Sequence, residues 1–406
     1  MNLLHRVTAA NILVGHMDLD QNRIFRDLGS FSGLVAAARQ KRPLFGRAAP
    51  GPHTRQLARD VLNFSITNEA PEEPRMDRRW SSDGIDGIDG EIVSWSVGFG
   101  PRTDAIFLKP AGASEPLAGI VALHDHGYYK YFGKEKIADG PDGPVPELAA
   151  FRSTYYEGRA FANELARQGF AVLVPDTFSW GSRRFPFEVM PDIDRTLADD
   201  TGRFFNQQAA GAAVAQYNGA AYHHEHHIAK YCTLLGTSFA GVVAYEDRVA
   251  LNYLKSRTEV DPSRTGCIGL SGGGSRAALL RASSEELAAT VIVGMMCTYE
   301  ELLDRCIAPH TWMFFPDGWS GHGDWPDLAA SGAPAPLLVQ YLLDDTLFTV
   351  KCMRDADTKL AAAYDSVDAR QAYAGAFYPG PHRFDLAMQE EAFTWLAQKL
   401  GGTAGL

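Results

Sequence analysis

The pattern of apolar and polar residues changes near residue 90 of the 406-residue chain. Residues 1–88 are polar to mixed, and apolar residues recur with helical spacing only around residues 23–39 and 53–62. The proline-rich, charged stretch at residues 69–79 has the composition of an exposed connector. The pattern therefore predicts an N-terminal helical arm, residues 1–88, followed by one large domain, residues 89–406.

In the second part, short apolar runs typical of buried β-strands alternate with longer segments of helical periodicity. The predicted strands lie within residues 91–97, 104–110, 118–127, 169–176, 265–271, 288–295, 335–345 and 371–380. The predicted helices lie within residues 157–168, 239–257, 275–282, 353–364 and 386–400. Residues 183–235 contain no strand pattern and predict a helical cap insertion over one end of the sheet. The alternation predicts an α/β fold, a mostly parallel sheet with helices on both faces.

Composition and charge narrow the classes of partner. The chain is 46% hydrophobic and carries a formal charge of −11, with a pI near 5.6. These values fit a soluble globular protein and argue against nucleic acid or an anionic membrane as the main partner. There is no signal-peptide pattern and no run of about 18 apolar residues, so no membrane span is expected. Five cysteines without metal-type spacing predict reduced thiols in a cytoplasmic protein.

The segment Gly269-Leu270-Ser271-Gly272-Gly273 has the pattern G-x-S-x-G between a predicted strand and a predicted helix. A sharp turn there forces the serine into an unfavourable backbone region, and glycines on either side relieve the crowding. The spacing does not match a phosphate-binding loop, which needs Gly-Lys-Ser/Thr, or the dinucleotide fingerprint, which needs glycine in place of Ser271. The pattern predicts Ser271 as a nucleophile, with a plain glycine-rich turn as the alternative.

A serine hydroxyl needs a base to take its proton, and the base needs an orienting acid. Downstream, Asp344 and Asp345 end one strand pattern, and His382 follows the last strand pattern before the terminal helix. This is the order serine, acid, histidine at the carboxyl ends of parallel strands, where catalytic groups gather. An exposed turn for the two aspartates and a surface position for His382 are the alternatives.

Together these residues resemble the α/β-hydrolase superfamily, in particular its dienelactone-hydrolase-like and acetyl-xylan-esterase-like branch. The resemblance covers roughly residues 90–400 and rests on GLSGGG at the elbow, on DDTLF, and on PGPHRF before the last helix. Such families place a Pro/apolar stretch after the acid, which aligns with residues 346–348 and favours Asp345 over Asp344. Dienelactone hydrolase itself uses a cysteine nucleophile, so Ser271 implies an ester-type hydrolase instead.

The resemblance also implies an oxyanion hole and parts of a substrate pocket. One backbone donor is Gly272, the residue after the nucleophile, and the second comes from the loop after an early strand. Related esterases carry a His-Gly-x motif there, matched by His126, Gly127 and Tyr128, so the amide of Tyr128 is the predicted second donor. His126, Trp180 and Trp312 are predicted to line the pocket. A structural loop with packed aromatic residues is the alternative for this segment.

Three features leave other chemistry open. His124 and His126 are close in sequence but have no third metal ligand nearby. His223 and His227 are four residues apart in YHHEHHIAK, which does not match H-E-x-x-H, so a polar helix surface is preferred to a metal site. Glu300 after the VIVGMM strand is an alternative or supporting acid.

The predicted function is hydrolysis of a small-molecule carboxylic ester by Ser271, His382 and Asp345 through an acyl-enzyme, without a metal or organic cofactor. A peptidase or acyltransferase with the same triad is the second hypothesis, and a non-catalytic binding protein on this scaffold is the third. A homodimer formed through the arm is compatible with the sequence.

Overall fold

The computed structural model describes residues 23–66, 68–81, 87–204, 211–285 and 287–401. The strands are β1 (Glu72–Ser81), β2 (Ile88–Ser96), β3 (Thr103–Pro110), β4 (Leu117–Leu123), β5 (Ala171–Pro175), β6 (Val260–Leu270), β7 (Ala289–Val293), β8 (Leu337–Leu342) and β9 (Tyr373–Tyr378). The α-helices are α1 (Gly33–Lys41), α2 (Pro52–Leu62), α3 (Ala149–Tyr156), α4 (Phe161–Arg167), α5 (Asp192–Phe204), α6 (Ala212–Leu234), α7 (Phe239–Lys255), α8 (Gly272–Ser283), α9 (Tyr299–Leu302), α10 (Trp325–Ala330), α11 (Val350–Asp365) and α12 (Leu386–Leu400).

All the strands belong to one sheet in the order β1-β2-β3-β5-β4-β6-β7-β8-β9. The first strands pair antiparallel, up to the contact between β3 and β5. From β5 to β9 every pairing is parallel. The predicted α/β architecture is confirmed, because each predicted strand and helix segment forms an element of the predicted type.

The structure of the N-terminal arm differs in part from the prediction. Helices α1 and α2 lie where helical periodicity was found, but Glu72–Ser81 forms β1 and pairs with β2. The prediction that this segment is a connector within a helical arm is therefore wrong, because it forms an edge strand of the sheet. Nearly all of β1 is exposed, so it lacks the apolar alternation by which a strand is recognised. Residues 1–22 of the predicted arm and residues 82–86 lie outside the described residues.

Helices cover both faces of the sheet and form two apolar layers. One layer joins the sheet to α2, α7, α8, α10 and α11. The other joins it to α3, α4 and α12. This arrangement buries the parallel strands on both sides and leaves the loops at their carboxyl ends as the accessible edge, where ligands bind in open α/β sheets.

The predicted cap insertion, residues 183–235, contains α5 and α6 and has no strand among its described residues. Helix α6 is followed by α7 after a short break, and the two helix axes are bent by 86°. No single helix in the described ranges is long and apolar enough to cross a membrane, although α6 and α7 counted together pass that test. The apolar composition of α7 follows from its position, since most of its residues are buried against the sheet.

Candidate active site

Ser271 occupies the turn between β6 and α8 in a strained backbone conformation, with φ of 57° and ψ of −123°. Such a conformation costs a non-glycine residue about 1–3 kcal/mol and persists only where the surroundings enforce it. A Cβ on Gly269 would lie 2.4 Å from the carbonyl carbon of Gly273, and a Cβ on Gly273 would lie 2.1 Å from the oxygen of Leu123. The two glycines therefore allow the turn to close against β4 and hold Ser271 at the edge of the sheet.

His382 lies between the cavity that contains Ser271 and a buried carboxylate. Its Nδ1 is 2.6 Å from Oδ2 of Asp345, and the Asp345 side chain is 1% exposed. The other oxygen of Asp345 accepts a hydrogen bond from the amide of Leu347 at 2.8 Å. Nε2 of His382 is buried and has no hydrogen-bond partner. Asp344 is exposed and accepts a hydrogen bond from the amide of Gly380 at 2.7 Å, so it does not contact His382.

Ser271 and His382 line the same cavity of about 180 Å³ at the carboxyl ends of the strands. Further walls come from the loop after β4, residues 125–128, and from residues 309–311 and 346–347. Apolar surface predominates in the lining, with a few polar groups near the serine, as is typical of small-molecule sites. The cavity thus brings together the predicted nucleophile, the predicted base and the loop at residues 125–128, which is called the oxyanion loop below.

A buried lysine orients the loop that follows β4. Nζ of Lys136 donates hydrogen bonds to the carbonyl oxygens of Asp125, at 2.7 Å, and His126, at 3.0 Å. In a trans peptide the N–H points opposite to the C=O, so the amides of His126 and Gly127 point away from this lysine. A Cβ on Gly272 would lie 2.5 Å from the nitrogen of His126, which shows that α8 begins directly against the loop. Burial lowers the pKa of Lys136 to about 8.

Tyr128 lies in the cavity wall, but its backbone departs from the prediction. Its amide donates a hydrogen bond to Nδ1 of His126 at 3.0 Å and is therefore engaged within the loop. Gly127 and Tyr128 have φ values of 56° and 53°, so the chain turns back on itself at this point. The hydroxyl of Tyr128 donates to the carbonyl oxygen of Pro309 on the opposite wall. Of the predicted oxyanion donors, Gly272 lies at the start of α8 beside Ser271, whereas the Tyr128 amide has an acceptor already.

The predicted pocket residues divide into one that lines the cavity and two that do not. His126 lines it. Trp180 is 1% exposed and lies behind the loop, where its ring contacts the ring of His126 with centroids 5.2 Å apart. The indole N–H of Trp312 donates to Nδ1 of His226 at 2.8 Å on the protein surface. Neither Trp180 nor Trp312 is among the residues that line the cavity, so the prediction for these two residues is wrong.

Glu225, in the predicted insertion, is the main site residue that the sequence did not reveal. It is 4% exposed and contacts the loop after β4 through His126 and Lys130. A sequence signal exists, since Ala221, Glu225 and Ile228 share one buried face of α6 at helical spacing. A carboxylate within an apolar helix face is buried only when it is paired. The neighbouring histidines in the sequence instead suggested a polar helix surface or a metal site.

The histidines of α6 make separate contacts. His227 forms a hydrogen bond with Asp194 of α5, with Nδ1 and Oδ2 2.9 Å apart, and His224 packs edge-on against the ring of Phe185. Glu300, the alternative acid, lies 3.3 Å from a guanidinium nitrogen of Arg39 in the arm. Within the described parts of the chain, no group of three or more His, Cys, Asp or Glu residues could hold a metal ion.

His310 in the cavity wall predicts a loss of stability in acid. Burial lowers its pKa to about 4, and Nε2 lies 3.2 Å from the carbonyl oxygen of Leu347. Between pH 6.5 and 4 the unfolded chain binds a proton that the folded chain does not, so stability falls as the pH falls. Glutamine cannot titrate in this range. We therefore expect the unmodified protein to lose about 1–2 kcal/mol more stability between pH 7 and pH 5 than His310→Gln does. Urea denaturation at both pH values measures this, and equal losses in the two proteins would contradict it.

The sequence of this chain is similar to those of known proteins. Residues 155–296, which include Ser271 but neither Asp345 nor His382, match the model of the Dienelactone hydrolase family. "Putative hydrolase YtaP" of Bacillus subtilis (strain 168) is 23% identical over 300 residues, which cover 74% of this chain and 84% of that protein.

Solved structures show the same fold at low sequence identity. A "putative acetyl xylan esterase" from Bacteroides fragilis NCTC 9343 superposes with a TM-score of 0.63 at 15% identity, covering 85% of this chain and 81% of that chain. The glucuronoyl esterase from Solibacter usitatus gives a TM-score of 0.56 at 12% identity, covering 85% of this chain and 92% of that chain. The chain has an α/β-hydrolase fold, and the resemblance predicted from its sequence is confirmed.

Proposed function

We propose that this α/β-hydrolase-fold protein is a serine hydrolase that cleaves small carboxylic esters with Ser271, His382 and Asp345. One observation carries the proposal. Ser271, on a strained turn, lines the same cavity as His382. Nδ1 of that histidine contacts the buried carboxylate of Asp345. This is the arrangement by which a neutral imidazole activates a hydroxyl.

In the first half of the reaction, Oγ of Ser271 attacks the ester carbonyl carbon while Nε2 of His382 takes its proton. The buried carboxylate of Asp345 holds the imidazole in orientation and stabilises the imidazolium cation. The tetrahedral oxyanion is bound by the amide of Gly272 and by an amide of the loop after β4. When the carbon–oxygen bond of the ester breaks, His382 returns its proton to the leaving alcohol, which leaves Ser271 acylated.

In the second half, water replaces the alcohol. His382 takes a proton from the water as its oxygen attacks the acyl carbon, and the same amides bind the second oxyanion. Collapse of this intermediate breaks the bond to Ser271 and returns the proton to Oγ. The carboxylic acid leaves, and the starting enzyme is restored without the gain or loss of electrons.

The size of the cavity supports a short acyl group. Its volume of about 180 Å³ is below the roughly 300–1,000 Å³ of pockets that hold drug-sized ligands. We expect kcat/KM for p-nitrophenyl acetate or butyrate to exceed that for the decanoate by about tenfold or more. The additional methylenes of the longer acyl chain do not fit in a pocket of this size and therefore weaken binding of the transition state. Initial rates across the chain-length series measure this, and a maximum at the decanoate would contradict the short-acyl assignment.

Covalent labelling tests the proposed nucleophile independently of the substrate. A fluorophosphonate reacts with an activated serine, and mass spectrometry of the digested protein identifies the modified residue. We expect the label on Ser271 together with loss of ester hydrolysis in the same proportion. Attachment at another residue with Ser271 unmodified would overturn the mechanism.

A further inference from the structure

Glu225 connects the insertion to the active-site cavity through three hydrogen bonds and an ion pair. Oε2 lies 2.8 Å from Nε2 of His126 and 2.6 Å from Nζ of Lys130. Oε1 accepts hydrogen bonds from the hydroxyl of Thr311, at 2.6 Å, and from the amide of Trp312, at 2.9 Å. Burial alone would raise the pKa of Glu225, but the Lys130 ammonium and His126 hold it well below its usual range.

The contact with Glu225 determines which nitrogen of His126 carries the proton. Nδ1 of His126 accepts the amide hydrogen of Tyr128, so this nitrogen has no hydrogen of its own. The neutral ring then carries its hydrogen on Nε2, which points to the carboxylate of Glu225. Burial lowers the pKa of His126, which favours this neutral form. Glu225 therefore selects the tautomer that holds the backbone turn at Gly127 and Tyr128.

The same carboxylate also fixes the opposite wall of the cavity. Thr311 lines the cavity and donates to Glu225, and the hydroxyl of Tyr128 donates to Pro309 on the same segment. The oxyanion loop and the segment 309–311 are thus joined both directly and through α6. We expect a change at Glu225 to move both walls relative to Ser271.

We propose that Glu225 is a positioning residue of the active site, whose carboxylate holds the oxyanion loop and the facing wall in the geometry that the reaction requires. This inference rests on the proposed serine-hydrolase function. Glu225 does not line the cavity with Ser271; it acts through His126, Lys130 and Thr311. The insertion is in this way part of the catalytic geometry.

Glu225→Gln tests the inference with little change in volume. Glutamine has one acceptor oxygen and an NH₂ group, which would face donors such as Lys130 or Thr311. We expect kcat to fall about 10- to 100-fold, because displacement of catalytic groups by about 1 Å costs up to about 100-fold. KM should stay within about threefold, since the acyl pocket itself is retained. Glu225→Asp keeps the charge, and we expect it to recover part of the lost kcat.

Each kcat is expressed per reactive serine, titrated with the fluorophosphonate, so that loss of folded protein does not count as loss of catalysis. The matched control is Glu188→Gln, which changes an exposed carboxylate of the same insertion. We expect this variant to keep the kcat of the unmodified protein. An unchanged kcat in Glu225→Gln, or an equal fall in both variants, would overturn the inference.

If Glu225→Gln does not fold, Glu225→Asp and Thr311→Val carry the test. Each weakens part of the network, and we expect severalfold lower kcat per titrated serine in both. Unchanged kcat in both would again reject a positioning role. Failure of the proposed function has a different signature, since ester hydrolysis would then persist in Ser271→Ala or the phosphonate would not label Ser271.

Discussion

Ser271→Ala is expected to lower kcat for ester hydrolysis by about 10⁴- to 10⁶-fold, the range seen when a serine hydrolase loses its nucleophile. The serine sits at φ of 57° on a turn that closes only because Gly269 and Gly273 have no side chains. Alanine can occupy the same backbone conformation but cannot form the acyl-enzyme. Residual turnover would come from binding and oxyanion stabilisation alone. Stopped-flow or steady-state assays with p-nitrophenyl acetate measure the change.

Ser275→Ala is the matched control for this experiment. Ser275 lies one turn further along α8, and its amide donates to the carbonyl oxygen of Ser271 at 2.9 Å. Its hydroxyl is buried and has no hydrogen-bond partner, so removing it leaves no acceptor unsatisfied. We expect this variant to keep kcat within a few-fold. Ester turnover in Ser271→Ala equal to that in Ser275→Ala would rule out Ser271 as the nucleophile.

Asp345→Asn is expected to lower kcat by about 10⁴-fold, since the analogous change in a serine protease triad leaves histidine in the wrong tautomer. Oδ2 of Asp345 lies 2.6 Å from Nδ1 of His382, and Asp345 is buried. An asparagine NH₂ group at this position can donate to Nδ1, which moves the imidazole hydrogen to Nε2. A protonated Nε2 cannot take the proton of Ser271. Kinetics at neutral pH give the effect on kcat.

The adjacent Asp344 supplies a control of the same chemistry. Its carboxylate is exposed and accepts a hydrogen bond from Gly380 rather than from His382. We expect Asp344→Asn to retain kcat within about threefold and to change stability by less than about 1 kcal/mol, as is usual for exposed positions. A larger loss of activity in Asp344→Asn than in Asp345→Asn would reverse the assignment of the acid.

Much of the fold was predictable because it depends on local patterns. Buried strands such as β4 and β5 are continuous apolar runs, and the helices that follow the strands show helical periodicity. Strand β1 was missed because it is an exposed edge strand, in which pairing with β2 rather than burial of alternate residues defines the structure. Edge strands often carry charged residues, so their sequences resemble connectors.

The chain by itself determined the glycine-flanked serine, the order serine, acid, histidine, and the sheet edge at which these residues meet. These follow from short-range sequence features and from the geometry common to parallel sheets. Only the tertiary structure decided that Asp345 contacts His382, that the Tyr128 amide is engaged by His126, and that Glu225 reaches the oxyanion loop. Those contacts join residues up to about a hundred positions apart or depend on the direction of single N–H and C=O groups. Hydrogen-bond direction and burial arise when the elements pack, so no local pattern encodes them.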